Sequence, residues 1–138
     1  MEQHEHKTLA GYRLEKAKND LKDAQKNYAE EMYETAANRA YYAIFHAARA
    51  ALIMDGEDYR RHAGVIAFFR KNYIKTGILD DSLSEIIKNA FELRTESDYS
   101  DFFIVSKAEI EKQLEDAEFF VSEIEKFLKN RTEQKEQG

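Results

Sequence analysis

Cysteine, proline and tryptophan are all absent from this 138-residue chain, and it has only five glycines. Without cysteine there is no disulfide framework, thiolate nucleophile or zinc–thiolate centre. Without proline, nothing in the sequence forces a long helix to break. The glycines stand far apart, so no glycine-rich phosphate loop exists. No apolar run reaches the ~18 residues of a membrane span, and no secretory leader pattern occurs. The expectation is a cytoplasmic protein that does not enter a membrane. A His-Glu-x-x-His zinc motif is missing. So are the Glu-x-x-His pairs of a di-iron bundle, because Ala43 and Tyr59 stand three residues before His46 and His62. No metal and no cofactor is expected.

Charge is what the chain has in excess. Charged residues are 35%, against a usual ~25%, while apolar residues are near normal at 43%. This pattern suits helices with solvated outer faces around one core. The net charge of −6 is uneven. Residues 1–34 carry 8 acids and 6 bases, residues 35–79 carry 3 and 7, and residues 80–138 carry 16 and 8. The acidic total argues against a dedicated DNA binder, because phosphate affinity comes mainly from lysine and arginine. A local basic patch in the middle is compatible with it.

Apolar periodicity places the elements. Leu14, Ala17, Leu21, Ala24 and Tyr28 step by 3 and 4, giving a first helix over about Lys7–Glu31 after a frayed start at 1–6. A bend at Glu31–Tyr33 leads to a second helix from Glu34–Thr35 to Met54. Asp55–Asp58 breaks the chain with a glycine. A third helix ends near Tyr73. A fourth begins at Asp80–Ser82, where side chains can cap it. Thr95–Phe103 reads as a turn-rich link. Ser106 caps a last helix whose stripe is Ile110, Leu114, Ala117, Val121, Ile124 and Leu128. Residues 131–138 read as a polar tail. No strand-like alternation or repeat occurs. The predicted fold is all-α: an antiparallel up-and-down bundle of four to five helices, occupying residues 7–130.

The second helix has no acidic residue between Glu34 and Asp55. Ala37, Tyr41, Ile44, Phe45, Ala48 and Leu52 make one apolar face. Ala36, Ala40, Ala43, Ala47 and Ala50 make a second face, small enough for close packing. A buried central helix is implied. Asn38, Arg39, Tyr42, His46 and Arg49 then need polar partners from elsewhere. Asp98, Glu92 and Asp101 are expected to supply carboxylates to Arg39 or Arg49, with Arg94 reaching Asn38. Arg61 and His62 lie in a stretch, Tyr59–Leu79, with five basic residues and no acid. They suit either a phosphate or a pairing with the acidic fourth or fifth helix.

The run Asn38-Arg39-Ala40-Tyr41-Tyr42-Ala43-Ile44-Phe45-His46-Ala47-Ala48-Arg49, then His62-Ala63-Gly64-Val65-Ile66, then Leu93-Arg94 and Ser97-Asp98-Tyr99, resembles the HEPN domain (higher eukaryotes and prokaryotes nucleotide-binding). The resemblance spans about Lys7–Leu128. It implies a helical bundle that forms a homodimer and works with a minimal nucleotidyltransferase as a toxin–antitoxin pair. Many members are metal-independent endoribonucleases. Their motif is an arginine followed four to six residues later by a histidine, supported by a polar residue early in the second helix. Carried over, Arg94 is the motif arginine and Asn38 the supporting residue, with Asp98 and Tyr99 as further catalytic candidates. Asn38, Arg39, Tyr42, His46, Arg61 and His62 are the candidate nucleotide or RNA contacts.

This sequence departs from that motif. The corresponding positions are Tyr99, Ser100 and Asp101, and no histidine follows His62. The reading from sequence is therefore a nucleotidyltransferase partner that binds nucleotide or RNA with a degenerate nuclease site. The alternatives are an active endoribonuclease using Arg94 and a non-catalytic helical adaptor.

Overall fold

The computed structural model describes residues 2–99 and 104–137, with side-chain environments for 3–96 and 104–134. Five α-helices account for nearly all of it: α1 Glu2–Ala29, α2 Tyr33–Met54, α3 His62–Phe69, α4 Ser82–Tyr99 and α5 Lys107–Gln137. A single π-helical turn, Arg70–Ile74, continues α3. No strand occurs among the described residues. The bundle is all-α, as the periodicity predicts.

The central helix is α2, which packs on α1, α3, α4 and α5. Its alanines explain how. Ala36, Ala40, Ala43, Ala47 and Ala50 are all fully buried, and so are Ala10, Ala17 and Ala24 of α1. With only methyl groups to interpose, backbones can approach closely. The other face carries bulk: Tyr41, Ile44, Phe45 and Leu52 are buried against Val65, Phe69, Leu83, Ile87, Phe120 and Ile124. Burial of such a side chain contributes about 1.5–3 kcal/mol.

Local chemistry sets the ends. Gly56 adopts φ +83 after α2, where a side chain is strained. Its N–H donates to Ile53 O, and the Glu57 N–H donates to Leu52 O. Asp80 Oδ1 accepts from the Ser82 N–H at 2.8 Å before α4. Ser106 opens α5 with a capping box: its Oγ accepts from the Glu109 N–H, and Glu109 Oε1 accepts from the Ser106 N–H.

Three helix ends extend past the predicted bounds. α1 starts at Glu2, α4 runs to Tyr99 into the expected link, and α5 runs to Gln137 through the expected tail. The extensions of α1 and α5 hold good helix formers, and none of the three contains proline, so the backbone ladder continues from the packed part. No helix among the described residues is long and apolar enough to cross a membrane.

Candidate functional site

The polar residues of α2 recur on one flank of the helix; Arg39, Tyr42, His46 and Arg49 meet neighbouring elements, while Asn38 meets Arg39 of α2 itself and not the expected Arg94. The first cluster joins α2, α3 and α4. His62 is the first residue of α3, and the extended backbone of Arg61 delivers it. Its ring stacks on Phe45 at 4.2 Å between centroids and on Tyr41 at 5.5 Å, and meets Tyr42 edge-on at 6.0 Å. Tyr41 and Phe45 are one helical turn apart and stack on each other at 5.9 Å, and the imidazole packs beside both rings. Tyr41 Oη lies 2.6 Å from His62 Nδ1.

Arg94 comes from α4. Its guanidinium carbon is 5.5 Å from the Tyr41 ring centroid and 5.8 Å from that of Tyr42. An Nη of Arg94 stands 3.4 Å from His62 Nδ1. The imidazole nearest Arg94 thus comes from α3.

Electrostatics keep this cluster poised. Burial pushes the His62 pKa below the ordinary imidazole value, and Arg94 and Arg49 add to the effect. The ring is therefore neutral at pH 7. Burial raises the Tyr41 pKa despite the opposing charge of Arg94, so the phenol keeps its proton. Two arrangements follow. With Nδ1 accepting from Tyr41 and Arg94, His62 carries its proton on Nε2. With Nδ1–H donated to Tyr41 Oη, Nε2 is a base.

The second cluster joins α2 to α1. Asp20 is only 7% exposed. Its Oδ1 lies 3.5 Å from Arg39 and its Oδ2 3.6 Å from His46 Nε2. Asn38 Oδ1 accepts from Arg39 at 2.8 Å. The Arg39 guanidinium lies over Tyr42, 5.2 Å from the centroid. Burial raises the Asp20 carboxyl against the pull of Arg39 and Lys16. Burial lowers His46 to about 4, and Lys16, Arg49, Arg13 and Arg39 push the same way. His46 is uncharged at neutral pH, so its contact with Asp20 is dipolar and not an ion pair.

The third cluster ties the α2–α3 loop down. Asp58 accepts two hydrogen bonds from Arg13, both 3.1 Å, and one from Arg49 at 2.8 Å. Burial works to raise Asp58, and these bonds outweigh it, leaving the carboxyl below its ordinary value.

Among the described residues, Arg39 faces Asp20 of α1 and Arg49 faces Asp58 of the loop. Among the described residues His62 meets Tyr41 and Arg94, and no acid of α4 or α5. Arg61 is exposed at the start of α3. The side chains of Asp98 and Tyr99, and Asp101 entirely, lie outside the described part. Among the described residues no three His, Asp or Glu side chains gather as a metal site needs. An apolar groove of about 340 Å³ runs between α4 and α5, lined by Ile86, Ala90, Leu93 and Ala108, and does not include the Arg94–His62 cluster.

Sequence reasoning missed the importance of Asp20. The signal was there: Asp20 is in phase with Ala17 and Ala24, the buried side of α1, three and four residues away.

Comparison with known proteins converges. The family profile of the HEPN domain matches residues 10–127. A protein of Archaeoglobus fulgidus described as "UPF0332 protein" is 41% identical over 79% of this chain and 86% of its own length. A protein of Methanocaldococcus jannaschii named "Putative toxin MJ0142" is 33% identical over 83% of this chain and 78% of its own. A second "UPF0332 protein", from Thermotoga maritima, is 29% identical over 91% of this chain and 96% of its own.

Proposed function

The chain belongs to the HEPN domain family, and from that premise we propose that it is the toxin of a two-part module, a metal-independent endoribonuclease whose working pair is Arg94 and His62. One observation carries this: the His62 ring and the Arg94 guanidinium both lie 5.5 Å from the centroid of the Tyr41 ring, on a chain whose α4 offers no histidine of its own. The proposal extends to a homodimer in the cytoplasm, with a minimal nucleotidyltransferase as its partner. The toxin part is supported by the printed names of two relatives from Methanocaldococcus jannaschii. The partner and the dimer follow from the family resemblance.

The chemistry assigns one role to each group. His62 Nε2 takes the proton of an RNA 2′-OH while Nδ1–H is held by Tyr41 Oη. The 2′-oxygen attacks the adjacent phosphorus. Arg94 stabilises the charge that builds on the phosphoryl oxygens. The 5′-oxygen leaves, taking the proton back from His62. The products are a 2′,3′-cyclic phosphate and a 5′-hydroxyl.

A second reading is binding without cleavage. It is favoured by the convergence of two donors, Tyr41 Oη–H and an Arg94 N–H, on Nδ1, which places the proton on Nε2 and leaves no basic nitrogen.

Incubation of the purified protein with an RNA oligonucleotide in excess EDTA separates the two. Cleavage to cyclic-phosphate ends, lost in Arg94→Ala, supports the nuclease. Tight RNA binding with no cleavage supports the second reading. Neither binding nor cleavage sinks both. Copurification with the product of the adjacent reading frame tests the partner.

A further inference from the structure

Three arginines of α1 and α2 lie near the site, and their partners differ. Arg13 closes a two-pronged pair with Asp58 through both guanidinium nitrogens. Arg49 bonds the same carboxylate at 2.8 Å. Arg39 is held otherwise. Its hydrogen bond goes to a neutral acceptor, Asn38 Oδ1, and its approach to Asp20 is longer at 3.5 Å. Its side chain is 37% exposed, while Asp20 is buried beneath it. A guanidinium has five N–H groups, so Arg39 is positioned by its neighbours without being saturated by them.

Its place is set by Tyr42. The guanidinium carbons of Arg39 and Arg94 lie 5.2 and 5.8 Å from the same ring centroid. The two cations are therefore separated by no more than the sum of those distances. That bound is wide enough to take in the spacing of two successive phosphates along an RNA backbone. Two fixed guanidiniums sharing one aromatic ring suit two successive phosphates, with the intervening ribose passing over the ring edge. The strand has to be single, because in-line attack by a 2′-OH needs a backbone free to leave the duplex form.

We propose that Arg39 is a second phosphate subsite, holding the phosphate next to the scissile one in a single-stranded RNA, with Asn38 and Asp20 positioning it. This rests on the ribonuclease reading above and adds a substrate requirement: two phosphates are bound, not one. His46 lies between Asp20 and Tyr42, 3.6 Å from the carboxylate and 5.8 Å from the ring centroid.

The test compares three short substrates: UpA, with one phosphodiester, and the same dinucleotide carrying a terminal phosphate at its 5′ or its 3′ end. The wild-type protein is expected to favour one phosphorylated form over UpA about tenfold in kcat/KM, mainly through KM, as one charge-assisted contact provides. In Arg39→Gln the preference falls to about one, by the same reasoning. Arg39→Lys keeps part of it, and Lys75→Gln, on the exposed turn after α3, keeps all of it. Equal rates on all three substrates in the wild type, or an undiminished preference in Arg39→Gln, overturns the subsite.

A binding arm keeps the idea testable if the wild type cuts nothing, which would sink the nuclease reading alone. With an uncleavable 2′-O-methyl tetranucleotide, the slope of log affinity against log salt should fall by about 0.7 in Arg39→Gln, the share of one single-strand phosphate. An unchanged slope in a variant of native helicity overturns the proposal.

Discussion

His46 and His62 both lie close to Tyr42, at 5.8 and 6.0 Å between ring centroids, and burial lowers the pKa of both. Their partners separate them. His46 faces a buried carboxylate, Asp20, among four cations. His62 faces a phenol and a guanidinium and is stacked on Phe45. The first ring is packed against a carboxylate that Arg39 and Lys16 already offset. An arginine beside the second attracts a phosphate. On the proposed reading the same residue type is a packing element at one position and a proton carrier at the other, and the neighbours decide which.

The comparison breaks most sharply at Arg94 and His62. Arg94→Gln should lower single-turnover RNA cleavage about 10²–10³-fold, the usual loss for one preorganised charge-stabilising group. His62→Gln should cost about 10²–10⁴-fold as a lost acid–base group. EDTA should change neither the wild-type rate nor the residual rates. Tyr41→Phe is the next largest, about tenfold, because it removes the hydroxyl that orients the imidazole and leaves the ring stack in place.

Acid should separate the histidines by what it damages. His62 has a lowered pKa, so cleavage should persist as pH falls through 6.5 and decline only below it, read as the acidic limb of kcat/KM. His46 should appear in stability instead. Between its ordinary value of 6.5 and about 4, the unfolded chain binds a proton there that the folded chain does not. Stability therefore falls as pH drops across that window, by at most about 3 kcal/mol. Asp20, whose pKa is raised, works in the opposite sense and offsets part of it. Thermal melts of His46→Gln should show a shallower decline over the same window, with most of the cleavage retained.

The smallest effect belongs to the loop. Asp58 is partly exposed, so Asp58→Ala should cost about 1 kcal/mol by releasing Arg13 and Arg49. Its lowered pKa means this contribution is present above the ordinary aspartate range and lost as pH falls through the folded value. A melt that does not move in Asp58→Ala would show that the pairing with Arg13 and Arg49 adds nothing net.

The bundle was legible in the sequence because periodicity is a local property. The alanine and aromatic faces of α2, the Asp80 and Ser106 caps and the α5 stripe can each be read within a few turns. The site was only half legible. Arg94 and the polar flank of α2 stand out, but Asp20 is one acid among many on α1 and is marked only by its phase with Ala17 and Ala24. His62 and Arg94 are 32 residues apart, and they meet only because α3 and α4 pack on the same face of α2. No spacing rule reports such a contact.

The most direct measurement is the single-turnover cleavage rate of one RNA oligonucleotide in EDTA by His62→Gln and His46→Gln, at a temperature where both are folded. The account predicts that His62→Gln is nearly inactive while His46→Gln cleaves at a rate close to the wild type. Equal losses in the two variants, or activity that depends on His46 and survives without His62, would contradict it.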